Sequence, residues 1–212
     1  MLSVRVFFEK KNGAKFISHL DLNRAVMRIL VRTGLPVVYS QGFNPHIKVV
    51  FALPLSIYQE SVCEVFDFKL NEDIPKEIVS ESLSKAMPDD LRFISCEEPI
   101  YKLGDVAKAE YEIKVYTKAT KSEVEKIFDG DVTVLRKTKT REFEDKINDR
   151  IFSLEVFDDS SISIKLKCIL RASNSEYLNP QYLVNHISKY YDVYDCEIKR
   201  TKLLTEAEEL FV

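Results

Sequence analysis

The chain has 212 residues, of which 45% are apolar and 31% charged, and its net charge at pH 7 is −3. This composition is typical of one large globular domain or two small ones, and five glycines and seven prolines leave little room for long linkers or low-complexity tails. Residues 1–48 hold eight Lys or Arg and two acidic side chains, whereas the rest of the chain holds 23 basic and 32 acidic ones. A basic N-terminal quarter on an acidic body indicates a localised anion-binding site, with chance segregation as the alternative.

The first helix pattern follows a predicted strand and carries two contrasting faces. Ser18, with Asp21 three residues later, has the form of a capping box, and Gly34 is a C-cap candidate. The apolar positions recur with helical periodicity, at Leu22, Val26, Ile29, Leu30 and Thr33. The opposite face carries a row of arginines four residues apart, at Arg24, Arg28 and Arg32.

The remaining elements of the first half complete a β-α-β-β-(β)-α-β order, which is close to the ferredoxin-like arrangement. A second helix is predicted over about Lys76–Met87. The predicted strands are Val4–Glu9, Val37–Tyr39, Val49–Leu55, Val62–Leu70 and Leu91–Cys96.

A similar order begins again after a connector over Pro99–Lys108. Helices are predicted at Lys121–Phe128 and Pro180–Tyr191, and the basic run Lys137–Arg141 is interpreted as a solvated loop. The predicted strands are Glu110–Thr117, Val132–Arg136, Arg150–Phe157, Ser161–Leu170 and Cys196–Leu204. We therefore expect an α+β protein of two tandem ferredoxin-like (βαββαβ) units with antiparallel sheets, at residues 1–100 and 101–212.

The cysteines give no sign of a metal site. They are widely spaced, without a CxxC or Cys/His pairing, so we predict no metal and no cofactor. Their setting in or beside apolar segments predicts buried free thiols in a reducing compartment. The apolar run Leu2–Phe8 is interrupted by Arg5 and is too short to be a signal or membrane segment. We expect a cytoplasmic protein without membrane contact.

Two stretches could carry chemistry. The turn at Ser18 can be a simple cap with an exposed His19, or its amides and imidazole can face an anion. The arginine row can be a solvated face or a phosphate-binding one, because guanidinium groups bind phosphate with two parallel bonds. Glu64 is expected on the outward side of its alternating strand, with a carboxylate of the binding site as the alternative.

The second stretch is the polar loop between Tyr39 and Lys48, which contains Gly42 and Phe43. Gly42 is expected to have a positive φ. Phe43 is expected to plug the core, with stacking on a nucleobase as the alternative. His46 and His19 are the candidates for acid–base catalysis.

The strings KFISHLDLNRA, RTGLP, YSQGFNPHIK and FALPL, followed by Glu60, Ser61 and Glu64, resemble the radical SAM-linked domain family, an uncharacterised bacterial family. That domain is either fused behind a B12-binding radical SAM module or encoded as a separate protein. Ile47 stands where the family usually has a second proline, and Ser56-Ile57-Tyr58 replaces a glycine typical of the family. The resemblance implies association with radical SAM chemistry through a partner chain, because this chain lacks the CxxxCxxC cluster.

The leading functional hypothesis is a non-catalytic RNA-binding or substrate-presenting module that works beside a separately encoded radical SAM protein. Its RNA would be tRNA or rRNA, and the tandem ferredoxin-like order is also similar to the RNA-binding proteins of CRISPR systems. The alternatives are an RNA-processing enzyme that uses His19 or His46, and a protein-interaction adaptor. The predicted binding residues are Lys15, Ser18, His19, Asp21, Arg24, Arg28, Arg32, Tyr39, Ser40, Gln41, Asn44, His46 and Lys48.

Overall fold

The computed structural model describes residues 2–137, 142–173 and 176–211, apart from the side chain of Lys137. The chain forms two compact units, of which the first is Met1–Val106 with Leu210–Val212 and the second is Ala107–Glu209. The sequence predicted a division between residues 100 and 101. Most of the predicted basic run, residues 138–141, lies outside the described residues.

The first unit contains an antiparallel sheet and two α-helices. Strand β3 lies between β1 and β2, and β4 pairs with the other edge of β1. Short 3-10 helices occur at Asn12–Phe16, Asp89–Leu91 and Leu103–Asp105. The main elements are β1 (Leu2–Lys10), α1 (His19–Thr33), β2 (Val50–Phe51), β3 (Gln59–Leu70), α2 (Lys76–Ala86) and β4 (Phe93–Glu97).

The second unit contains a four-stranded antiparallel sheet, in the order β10-β5-β9-β8, and a separate β6–β7 hairpin. Its elements are β5 (Lys108–Thr117), α3 (Lys121–Phe128), β6 (Thr133–Lys137), β7 (Glu142–Lys146), β8 (Ile151–Ser160), β9 (Ser163–Arg171), α4 (Gln181–Ile187) and β10 (Val193–Leu204). The predicted α+β class is confirmed, as is antiparallel pairing within each unit. Strand β7 was missed because its sequence, EFEDK, contains a single apolar residue.

Helix α1 forms for the reasons that its sequence indicates. The Ser18 hydroxyl accepts a hydrogen bond from the Asp21 amide, and Gly34 ends the helix with a φ of 70°. Four of its apolar side chains are at most 2% exposed, at Leu22, Val26, Ile29 and Leu30. These side chains join the core of the first unit with Val6, Phe8, Phe66 and Phe68 from the sheet.

The two strands predicted around the polar loop are wrong in most of their length. Val37–Tyr39 makes only isolated bridges, Val37 to Leu70 and Tyr39 to Ile47. Of Val49–Leu55 only Val50–Phe51 pairs as a strand. Ala52, Leu53 and Leu55 are buried without being strand residues, and Pro54 between them has no amide hydrogen to donate to a sheet. The apolar run Val49–Leu55 therefore indicates buried side chains and not pairing in a strand.

A buried arginine fixes the connector and the C-terminus of the first unit. The side chain of Arg5 is fully buried, and its Nε and Nη2 donate to the two carboxylate oxygens of Asp67 at 2.9 Å. Nη2 also donates to the Tyr101 carbonyl at 2.8 Å, and the guanidinium lies 4.7 Å from the centre of the Phe211 ring. One guanidinium thus joins β1, β3, the connector and the C-terminal segment.

The four cysteines are free, as predicted, but only Cys96 and Cys168 are buried; Cys63 and Cys196 are half-buried. Burial raises the pKa of the Cys168 thiol to about 12. Within the described ranges, no helix is both long enough and apolar enough to cross a membrane.

Replacing Asp67 by Asn should lower the free energy of unfolding by about 3 kcal/mol, because the buried Arg5 guanidinium loses its charged partner. Urea unfolding measures this change. The control is Asp131→Asn in the second unit, whose carboxylate is 69% exposed and pairs with Lys146 at 2.6 Å. That exposed pair should contribute no more than about 1 kcal/mol. Equal effects of the two substitutions would contradict the anchoring role of Arg5.

Cys168 should resist alkylation by iodoacetamide in the folded protein, because burial disfavours the reactive thiolate. Mass spectrometry after brief alkylation measures the modified fraction, with the half-buried Cys63 as the comparison. Both thiols should be modified completely after denaturation. Fast modification of Cys168 before unfolding would show that β9 opens readily.

Candidate functional site

The arginine row and part of the polar loop line one open groove on the first unit. The groove has a volume of about 570 Å³. Its cationic and aromatic lining side chains are Arg24, Arg28, Arg32, Tyr39 and His46, and its apolar ones are Met27, Val31 and Ile47. We call it the arginine groove. Helix α1 supplies one wall, and the stem of the loop, where Tyr39 bridges to Ile47, supplies the other.

The three arginines differ in how far the protein neutralises them. Arg24 donates to the Asp21 carboxylate at 3.1 Å, and Arg32 donates to the carbonyl of Ala86 at 3.0 Å. Arg28 makes no hydrogen bond or ion pair to the parts of the chain that the structure describes. The row therefore retains most of its positive charge.

The loop over residues 40–46 is closed by its own hydrogen bonds. The amide of Ser40 donates to the carbonyl of His46 at 2.7 Å, and the amide of His46 donates to the Ser40 hydroxyl oxygen at 3.1 Å. The same hydroxyl lies 3.0 Å from Nδ1 of His46. Gly42 has a φ of 121°, as predicted, which a residue with a side chain would adopt only with strain. The hydroxyl of Ser40 thus stabilises the loop through its contacts with the amide and the imidazole of His46.

Phe43 lies at the tip of this loop with its side chain fully exposed, at 105%. The expectation that Phe43 plugs the core is therefore wrong. The buried anchor is Ile47, which is 3% exposed and belongs to the core of the unit. Because the loop closes between Ser40 and His46, the residues before Ile47 project outward. Ile47 thus gives the loop an apolar side chain that packs in the core.

A second groove lies on the other side of the loop stem and has a volume of about 780 Å³. Tyr39 lines both grooves. Of the predicted residues, Gln41 and Lys48 line this second groove and not the first. Lys69 and Lys102, which were not among the predicted residues, line it too, as do the acidic Asp67 and Glu98. Lys69 could have been found, because it alternates with the core residues Phe68 and Leu70 and must point outward.

The remaining predicted residues do not line the arginine groove. Nζ of Lys15 is 3.9 Å from the Glu60 carboxylate. Ser18 and Asp21 serve the helix N-terminus, and the Ser18 hydroxyl, followed by Arg24, lowers the pKa of Asp21 below its usual range. Asn44 is exposed in the loop, and its carbonyl lies 3.3 Å from Nδ1 of His46.

His19 is not simply exposed, as one interpretation of the helix start had it. It is half-buried, with its ring edge-on to Phe51 at 5.1 Å between ring centres. Its Nδ1 and the Oδ1 of Asn23, one turn later, are buried without a hydrogen-bond partner among the described residues. His46 lines the arginine groove, whereas His19 does not.

The prediction that Glu64 faces outward is wrong, since this residue is 2% exposed. Glu64 alternates in phase with Phe66 and Phe68, which face the core, so the same strand geometry turns it inward. Lys10 at the end of β1 is also buried, as are Gln59 and Ser61 on β3, the strand of Glu64. These polar residues form a buried set that the charge pattern of the sequence did not reveal.

The described part of the chain contains no candidate metal site. Across residues 2–137, 142–173 and 176–211, no three His, Cys, Asp or Glu side chains are grouped so that they could hold a metal ion. The surface of the arginine groove is mainly apolar, because the arginines line it with their aliphatic stems more than with their guanidinium groups. It suits an anion attached to a flat or apolar group.

The chain belongs to a family of uncharacterised proteins conserved in bacteria, DUF2344, whose model matches residues 3–180. No curated protein matches it.

Solved structures share its fold at low identity. A chain of a Cbf5–Nop10–Gar1 complex is 10% identical, with a TM-score of 0.51, over 94% of this chain and 48% of its own. A chain of an archaeal box H/ACA sRNP Nop10–Cbf5 complex is 10% identical, with a TM-score of 0.50, over 94% of this chain and 47% of its own. The present chain thus spans about half the length of these chains, and the likeness concerns the fold alone.

Phe43→Ala should leave the free energy of unfolding within about 0.5 kcal/mol of wild type, because the ring makes no core contact. Ile47→Ala should lower it by about 3 kcal/mol, because it empties a buried site. Chemical denaturation of both variants measures the difference. A larger loss for Phe43→Ala than for Ile47→Ala would contradict the loop geometry.

Proposed function

We propose that this protein is an RNA-binding module without a reaction of its own, which holds RNA phosphates in the arginine groove. The observation that carries the proposal is that three arginines line one groove and that Arg28 there has no partner in the described chain. A guanidinium meets a phosphate with two parallel, charge-assisted hydrogen bonds. A row of such groups along one helix face is suited to successive phosphates of a nucleic-acid strand.

The other groups of the arginine groove favour RNA over a free anion. Tyr39 and His46 bring aromatic surface to the same groove, and Met27 and Val31 bring apolar surface. Aromatic rings bind unstacked bases, and apolar surface accepts the faces of bases and sugars. A site for inorganic phosphate alone would have no use for this surface.

The structural comparisons agree with an RNA ligand without identifying one. The solved chains of similar fold come from complexes that include a box H/ACA ribonucleoprotein, at 10% identity. We propose tRNA or rRNA as the class of RNA. The free thiols suit a reducing compartment, so we place this activity in the cytoplasm.

Two further parts of the proposal concern architecture and partner. The order of elements in the first unit, β1-α1-β2-β3-α2-β4, supports a ferredoxin-like arrangement for that unit. With the β6–β7 hairpin set aside as an insertion, the second unit supports the same arrangement. The resemblance of SHLD and YSQGFNPH to the radical SAM-linked domain supports a separately encoded radical SAM enzyme as the partner that acts on the bound RNA.

Arg28→Gln should weaken the binding of tRNA and reduce the slope of log affinity against log salt by about 0.7 to 0.9, the amount for one lost phosphate contact. Arg28→Lys should retain the slope and lose only part of the affinity, because the ammonium keeps the charge but not the two-pronged geometry. Filter binding or fluorescence anisotropy at several salt concentrations measures both quantities.

The matched control is Lys85→Gln on α2, which removes one positive charge outside the groove. Lys85 is 73% exposed and is paired with Glu81. Lys85→Gln should leave the slope of log affinity against log salt unchanged. No binding of RNA by the wild type at low salt, or equal effects of Arg28→Gln and Lys85→Gln, would overturn the proposal.

The two alternatives give different results in the same preparation. RNA that is cleaved by the wild type but not by His46→Ala would favour a processing enzyme. Copurification of a radical SAM chain by protein that binds no RNA would favour an adaptor.

A further inference from the structure

We infer that the RNA bound by this protein is single-stranded at the site and that one of its unpaired bases stacks on the ring of Phe43. This inference rests on the proposed phosphate-binding function of the arginine groove. It adds to that function the class of RNA and a contact that phosphate binding does not require.

The first observation is the position of the ring. Phe43 is fully exposed, yet the loop that carries it is held by the hydrogen bonds between Ser40 and His46 and by burial of Ile47. A ring on a fixed loop can receive a flat partner with little loss of conformational freedom. The loop residues around it, Gln41 and Asn44, are exposed and polar. Gln41 and Asn44 therefore do not form an apolar patch with the ring, as the centre of a protein–protein interface usually does.

The second observation is the distance to the phosphate site. His46 lines the arginine groove and follows Phe43 by only three residues. Their Cα atoms are therefore at most about 11 Å apart. Stacked nucleotides advance about 3.4 Å each, so a strand with phosphates in the groove can bring a base to Phe43 within a few nucleotides.

The third observation is that positive charge continues past the loop. The second groove, across the loop stem, is lined by Lys48, Lys69 and Lys102, which outnumber its acidic residues Asp67 and Glu98. Asp67 is already paired with Arg5, and Tyr39 is shared with the first groove. A strand that crosses the stem meets cationic side chains on both sides and an exposed aromatic ring between them. This is the combination by which proteins bind single strands, with charged grooves for the backbone and rings for the bases.

Geometry favours an unpaired base over a duplex. In an RNA helix the bases are stacked on one another, and the deep major groove does not admit side chains. A ring that projects from a loop tip can stack only on a base that has left the helix or lies in a loop, bulge or end. The ring therefore selects against fully paired RNA.

The chain contains no tryptophan, so Phe43→Trp introduces the only indole. We expect quenching and a shift of its fluorescence by a short single-stranded oligouridylate, and a weaker response to the same strand annealed to its complement. Inorganic polyphosphate should compete for the groove without quenching the indole. Ile162→Trp, in the turn between β8 and β9 of the second unit, is the control reporter, since Ile162 is 56% exposed and lies outside the loop.

Binding to unlabelled variants gives the second readout. Phe43→Ala should lower the affinity for the single-stranded oligonucleotide at least about fivefold, because it removes base stacking. It should leave the slope of log affinity against log salt unchanged, because it removes no phosphate contact. Phe43→Tyr should retain most of the affinity. Arg28→Gln should instead change the salt slope.

The outcomes separate this inference from the function on which it rests. RNA binding with a normal salt slope, no quenching of the indole and no effect of Phe43→Ala would overturn base stacking and leave phosphate binding intact. Equal affinity and equal quenching with the duplex would overturn the single-strand preference. If the wild type bound no RNA at low salt, both proposals would fail. Loss of radical SAM partner binding in Phe43→Ala, with RNA binding unchanged, would assign the ring to a protein contact and overturn the inference.

Discussion

The burial of one face of α1 is the constraint on which the arginine groove depends. Leu22, Val26, Ile29 and Leu30 are at most 2% exposed, and burial of each such side chain contributes about 1.5 to 3 kcal/mol. A helix held in this way has no freedom to rotate about its axis. The residues that alternate with the apolar positions must then face away from the sheet. Three arginines are displayed together because the opposite face of the same helix is packed in the core.

The polar loop depends on a second, smaller anchor. Ile47 is buried in the same core, and the bridge between Tyr39 and Ile47 closes the stem beside α1. Hydrogen bonds between Ser40 and His46 then close the loop above this stem. The consequence is a rigid projection with Phe43 at its tip. An apolar ring that stays in water forgoes the stabilisation that burial would give it.

The sequence predicted those features whose causes are local. The cap at Ser18, the end of α1 at Gly34 and the positive φ of Gly42 follow from the residue itself or its near neighbours. Predictions failed where the cause was an interaction with distant residues. The apolar segment Ala52–Leu55 is buried but does not pair in a strand, and Glu64 turns inward with its strand. In both cases the local pattern was compatible with two environments, and packing against other elements selected one.

The sequence by itself determined the α+β class, the two faces of α1, the concentration of basic residues in the N-terminal quarter and the polar loop. These properties are written in composition and in the periodicity of neighbouring residues. Only the tertiary structure decided which of the selected residues meet. It brought Arg24, Arg28 and Arg32 beside Tyr39 and His46, assigned Lys48 to a second groove, packed His19 against Phe51 and exposed Phe43. Spacing along a helix or strand fixes which residues share a face. Contacts between elements depend on how those faces pack together, and this packing cannot be seen in the spacing of residues along one chain.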